Sequence, residues 1–226
     1  MRKHRRLRPS LAVLAVLAAV GAGTTACGGG DSGGGDGHGG RPPASGRPSP
    51  TGGDDRKSPG KTDAQDPARF APQVKRYARE AGVSPQLVMA ILYNESYKPH
   101  DPEWEKSWQK IKPDSAFGVA NMHRAAFDET KRGRPFAGRS WFDLPDDPGL
   151  AIRAESWHLR DLAAQLPGSW PDSYTKEELL ALGYNTGAGN MAAFARGARP
   201  GPQARTYLDN LRGNWSKAAA ALRSSG

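Results

Sequence analysis

Ser84–Ser96 reads SPQLVMAILYNES, a run of apolar residues interrupted by a single carboxylate. At 3.6 residues per turn, Leu87, Val88, Ile91 and Leu92 share one helical stripe. Glu95, four residues past Ile91 and three past Leu92, falls on that stripe, so the pattern predicts an inward-facing acid. Ser84 is the natural N-cap and Pro85 the natural first helical residue, which puts Glu95 in the last turn. Burial disfavours a carboxylate anion, and the negative end of the helix dipole adds to the effect. Both raise the carboxyl pKa and suit Glu95 to donating a proton. The alternative is a structural Glu satisfied by a buried Arg or a backbone amide.

Helical spacing continues on both sides of this stretch. Phe70, Val74 and Tyr77 repeat at helical spacing up to Gly82, a natural stop. Pro99 to Pro113 reads as a loop carrying Trp104 and Trp108, and Gly118 to about Lys131 as a helix with Val119, Met122 and Phe127. Asp147-Pro148 opens a helix to Leu166, with Ile152, Leu159 and Leu162 on one side. Thr175 and Glu178 form a capping box ahead of a helix that runs to Tyr184 and Asn185. Gly187 to Gly189 make a turn, and two short helices around Ala192 and Tyr207 follow. No alternating strand pattern and no repeat stand out. The expected fold class is all-α, in one domain over residues 67–226 whose packed part ends near Leu222.

A second acid, Glu155, shares the side of Ile152, Leu159 and Leu162. Two inward carboxylates on different helices would suit paired acid and base glycosidase chemistry. Glu155 lies mid-helix, however, where a polymer has poor access, so a structural or supporting part fits it better. His100, His123 and His158 are scattered without metal-ligand spacing. No nucleophile elbow or phosphate loop is present, and no metal or cofactor is implied. The only cysteine is Cys27, so neither a disulfide nor a cysteine nucleophile is available to the domain.

Residues 1–27 read as an export signal: a basic run through Arg8, an apolar segment from Leu11 to Val20, then small residues. Thr24-Thr25-Ala26-Cys27 resembles the lipobox of bacterial lipoproteins, with Thr24 where Leu is usual. The resemblance implies a lipid anchor on Cys27 and a protein held outside the cell membrane, facing the wall. The signal carries five of the 32 Lys and Arg and none of the 23 acids, so processing leaves an excess of only +4. Nucleic acid is therefore not implied as a partner, and a small positive excess suits anionic wall polymers. Residues 28–66 lack aromatics, Leu, Ile and Val, and read as a disordered tether. As a Gly-rich coil its r.m.s. reach is on the order of 35 Å. His38 and the acids within it read as solvating groups.

Four segments then resemble one family, in its order. ILYNES (residues 91–96) resembles the ES motif of the lytic transglycosylase and goose-type lysozyme superfamily, and SAFGVANM (115–122) its S-x-x-GLMQ segment. ALGYNTGAGN (181–190) is similar to its AYN-x-G motif, and ARTYLDNL (204–211) to its closing Arg/Tyr segment. The resemblance implies a lysozyme-like domain that binds peptidoglycan glycan strands, with Glu95 as catalytic acid/base and Ser96 as a substrate or hydrogen-bonding partner. Gly118, Asn121 and Met122 would line the sugar groove, Tyr184 would hydrogen-bond near Glu95, Asn185 would bind an acetamido sugar and Tyr207 would close the site. Ala120 and Asn121 stand where Met and Gln are usual, and Gly183 where Ala is. The implied reaction is cleavage between N-acetylmuramic acid and N-acetylglucosamine to a 1,6-anhydro end. Two alternatives remain: a lysozyme-like hydrolase using a second acid such as Glu155, Asp101 or Asp114, or a wall-binding module without turnover. If Glu95 works as the acid, activity falls as pH rises through roughly 6 to 7, by analogy with tuned carboxyl acids. A rate flat across that range, measured on cell-wall sacculi, would count against it.

Overall fold

The computed structural model describes residues 66–96, 100–112 and 115–224, all within one compact unit. Cys27, the export segment, the tether up to residue 65 and Asp114 lie outside the described residues. The described part is predominantly helical, with eight α-helices and one two-stranded antiparallel sheet. In chain order these are α1 (Ala71–Ala81), α2 (Pro85–Glu95), α3 (Pro102–Ile111), β1 (Ala116–Phe117), β2 (Met122–His123), α4 (Arg124–Thr130), α5 (Pro148–Ala163), α6 (Lys176–Thr186), α7 (Ala188–Ala195) and α8 (Pro202–Arg223). Short 3-10 turns at Pro67–Phe70 and Trp141–Asp143 complete the set. Asp66, assigned above to the tether, belongs to the fold: it caps the first of these turns and accepts a hydrogen bond from the Tyr93 hydroxyl at 3.1 Å.

Helix α2 is the centre. Ser84 accepts from the Leu87 N–H at 3.3 Å, and Pro85 opens the helix as its sequence demands. The stripe reading understates its burial, because Met89, Ala90 and Tyr93 are as deeply packed as Leu87, Val88, Ile91 and Leu92. A helix apolar on every side belongs inside, and α1, α5, α6 and α8 surround it. Helix α8 runs antiparallel along it: the Gln86 side chain reaches the Trp215 carbonyl at 3.0 Å, and the Asn94 side chain reaches the Tyr207 carbonyl at 3.0 Å. Of the two short helices expected here, α7 is short, at eight residues, but the second is the 22-residue α8. Packing on α2 carries the helix through Gly213.

Two other readings are corrected. Residues 102–111 form a helix, with the Asp101 side chain accepting from the Glu103 and Trp104 N–H groups at 3.0 and 3.1 Å and Pro102 at its start. Residues 118–123 are not helical, since Gly118 (φ 73°) and Asn121 (φ 48°) occupy the left-handed region. Residues 118–121 form the turn of a hairpin, 122–123 its second strand, and α4 starts only at Arg124. Trp141 supports the hairpin, its ring meeting Phe117 edge-on at 5.2 Å and its N–H donating to the Met122 carbonyl at 2.9 Å.

Two glycines, Gly183 and Gly118, are explained by packing. A Cβ on Gly183 would lie 2.8 Å from the Met191 sulfur and 3.2 Å from its Cβ, so α6 and α7 meet closely only because residue 183 has no side chain. At Gly118 a Cβ would lie 2.9 Å from the Leu144 carbonyl oxygen, on top of the positive φ. Gly118→Ala is therefore expected to cost about 2 kcal/mol or more in urea unfolding. Unchanged stability would mean that the turn relaxes freely.

Candidate active site

Glu95 is the last residue of α2 and is 6% exposed. Ser96 ends the helix, its N–H donating to the Leu92 carbonyl at 3.0 Å and its hydroxyl to the Tyr93 carbonyl at 2.9 Å. The two Glu95 oxygens are met by donors from opposite parts of the chain. Asn121 Nδ2 donates to Oε2 at 2.9 Å, and the Tyr207 hydroxyl donates to Oε1 at 3.0 Å.

Each donor is held by its own support. The hairpin turn is gripped at four points: Gly118 N–H by Glu105 Oε2 (2.9 Å), the Ala120 carbonyl by the Tyr184 hydroxyl (2.6 Å), Asn121 by Glu95, and the Met122 carbonyl by Trp141. Asn tolerates the left-handed backbone that aims its amide at the acid. Tyr207 is set by Asn94, one residue before Glu95. The Asn94 amide donates to the Tyr207 carbonyl, while its oxygen accepts from Asn214 Nδ2 at 2.9 Å. The register of α8 on α2 therefore fixes the Tyr207 hydroxyl over Glu95.

Glu155, on α5, is fully buried, and neither carboxyl oxygen has a hydrogen-bond partner among the described residues. Burial pushes its pKa well above the usual carboxyl range, and the neighbouring Glu95 charge pushes it the same way. The Tyr184 hydroxyl is raised by burial, then by Glu155 and Glu95. Tyr207 is raised by burial, then chiefly by Glu95. Four helices thus bring two acids and two phenols within one another's field, with Glu95 common to the set.

The candidates taken from the sequence divide. Glu95, Asn121 and Tyr207 are in direct contact, and Tyr184 reaches the turn through Ala120 rather than bonding the acid itself. Met122 is packed in the core, and Gly118 serves the backbone. Ser96 bonds back to its own helix. Asn185 is exposed and lines a broad open hollow of about 900 Å³ with Arg199, Gln203 and others. A second hollow of about 290 Å³ contains Asn121, His123 and both Trp104 and Trp108. Asn94, Glu105, Trp141 and Asn214 are supports that the sequence did not single out. For Glu105 a signal existed, since Asp101-Pro102 marks a helix start and puts residue 105 one turn in. For Asn94 there was none beyond its place beside Glu95.

No family model matches this chain, and no curated protein does. The grouping of these residues therefore stands on their geometry. One consequence can be measured. A Glu whose folded pKa is raised contributes stability that is fully present below the unfolded value of about 4.3 and is lost as pH rises through the folded value. Gln in its place cannot ionise. Glu155→Gln is expected to gain on the parent protein as urea midpoints are followed from about pH 4 to 8. Parallel curves would mean that folding leaves the proton affinity of Glu155 unchanged, and a Gln variant that loses ground would mean that Glu155 is charged and paired.

Proposed function

We propose that this chain is a lytic transglycosylase with a lysozyme-like domain, which cleaves the glycan strands of peptidoglycan with Glu95 as its single acid/base. The observation that carries the reading is the meeting of three separated motifs at one carboxylate. Asn121 of SAFGVANM and Tyr207 of ARTYLDNL lie 26 and 112 residues from Glu95 in sequence, yet both donate to it. Tyr184 of ALGYNTGAGN braces the same turn.

The chemistry needs no water. Glu95 gives a proton to the oxygen leaving from the N-acetylmuramic acid C1, and that C–O bond breaks. The neighbouring acetamido group steadies the positive centre, as in substrate-assisted glycosidases. The C6 hydroxyl of the same sugar then attacks C1, and its proton returns to Glu95. The products are a free sugar hydroxyl and a 1,6-anhydro end. Tyr207 can donate or accept as Glu95 loses and regains its proton, because a phenol does either.

A lysozyme-like hydrolase needs a second carboxylate to activate water. Glu155 is unsuited to that task, being inaccessible and biased by burial toward its neutral form. Asp101 is engaged in capping α3. Both facts favour the one-acid reaction. Two open hollows, reaching Asn121 and Asn185, suit a polymer better than a small molecule. A lipid anchor on Cys27 and a tether over residues 28–66 would let the domain work on the wall from the membrane surface.

The test is digestion of cell-wall sacculi by the purified protein, with mass spectrometry of the released muropeptides. Anhydro ends, one water lighter than hydrolysed ends, are expected. Glu95→Gln should lower release by roughly 10²- to 10⁴-fold. Hydrolysed ends would make the protein a muramidase, and equal release by the variant would remove Glu95 from the chemistry.

A further inference from the structure

Although Trp108 packs partly against the core, helix α3 buries polar side chains and exposes apolar ones. Its polar residues Glu105 and Gln109 are 3% and 2% exposed, whereas Trp104 is 54% and Ile111 67% exposed. The buried side has its explanation in the site. Glu105 holds the Gly118 N–H at 2.9 Å and bonds His100 Nδ1 at 2.8 Å, so the helix is rotated to keep that carboxylate on the hairpin that carries Asn121. Nothing on the exposed side explains an indole in water. Apolar groups of that size left exposed together mark a contact surface.

The two indoles are arranged. Trp104 and Trp108 lie with centroids 5.5 Å apart and planes 13° from parallel. Lys112 Nζ sits 5.6 Å from the centre of the Trp108 ring. Both indoles line the 290 Å³ hollow, whose other walls include Ser115, His123 and Asn121. The hollow is concave and lined by the indole pair together with polar groups. A lipid surface asks for a convex apolar face, whereas a pyranose ring offers a flat C–H face and a rim of hydroxyls. The hollow is also continuous with the candidate acid, because the Asn121 that lines it bonds Glu95.

We propose that Trp104 and Trp108 form a stacking subsite for a saccharide ring of the glycan strand, on the Asn121 side of Glu95. The inference rests on the glycan reading above and adds to it the subsite that sets affinity. Glu105 is a positioning residue for this subsite, since it fixes the rotation of α3.

The experiment measures binding and cleavage separately. Chitotetraose, a β-1,4 N-acetylglucosamine tetramer, is titrated calorimetrically into the Glu95→Gln protein with and without Trp104→Ala, and sacculus cleavage is followed in the Glu95 protein. Trp104 is exposed, so its removal leaves the fold intact, which circular dichroism verifies. Loss of one stacking contact should raise the Kd for chitotetraose roughly tenfold. Ile111→Ser, on the same exposed side but outside the hollow, should leave the Kd unchanged. An unchanged Kd in the Trp104 variant overturns the subsite while leaving the transglycosylase reading intact. An equal loss in the Ile111 variant overturns it as well, as does a Trp104 variant that loses only binding to vesicles of anionic phospholipid. If the parent protein binds chitotetraose through Trp104 but releases no muropeptides, the subsite stands and the catalytic reading falls.

Discussion

A carboxylate buried at the end of an apolar helix is tolerable only while donors meet it, and the domain is arranged to keep two donors there. An unmet buried acid would lose hydration that nothing in the interior replaces. The Asn121 amide and the Tyr207 hydroxyl supply that replacement, and each is fixed in turn by further contacts. Glu105, Tyr184 and Trp141 immobilise the hairpin. Asn94 and Asn214 immobilise α8. Take away the acid and much of this polar scaffolding loses its reason.

Glu155 is the exception that sharpens the rule. It has no donor among the described residues and sits in the field of Glu95. The physical resolution is neutrality. A protonated carboxyl is far cheaper to bury than an anion, and a Glu155 held neutral sets no like charge beside the Glu95 carboxyl.

How much of this was legible in the sequence depends on what kind of signal each element carries. Helices α1, α2, α5 and α6 announce themselves through local chemistry: Gly82 as a left-handed stop, Ser84 and Pro85, Asp147 and Pro148, and the Thr175 capping box. Helix α3 has equally good start residues, but prolines bracket the region and Trp104 and Ile111 face outward while Glu105 and Gln109 face inward, which inverts the usual period. The hairpin has strands of two residues, too short for any alternation to register, and it exists because Trp141 and Glu105 seize it from outside. The site followed the same division. An inward Glu95 is a local property of one helix. Its meeting with Asn121 and Tyr207 depends on long-range packing, and only the order of motifs hinted at it.

The antiparallel seating of α8 on α2 has a consequence in time. Tyr207 is separated from Glu95 by 112 residues, so the hydroxyl arrives by one of the most distant closures in the domain. Closures of that span come with a large loss of chain entropy and tend to form late. A chain that stops before α8 lacks both the principal packing partner of α2 and the Tyr207 donor to the acid. Completion of the polypeptide and completion of the carboxylate's cradle are one event, which ties any activity of Glu95 to a finished molecule.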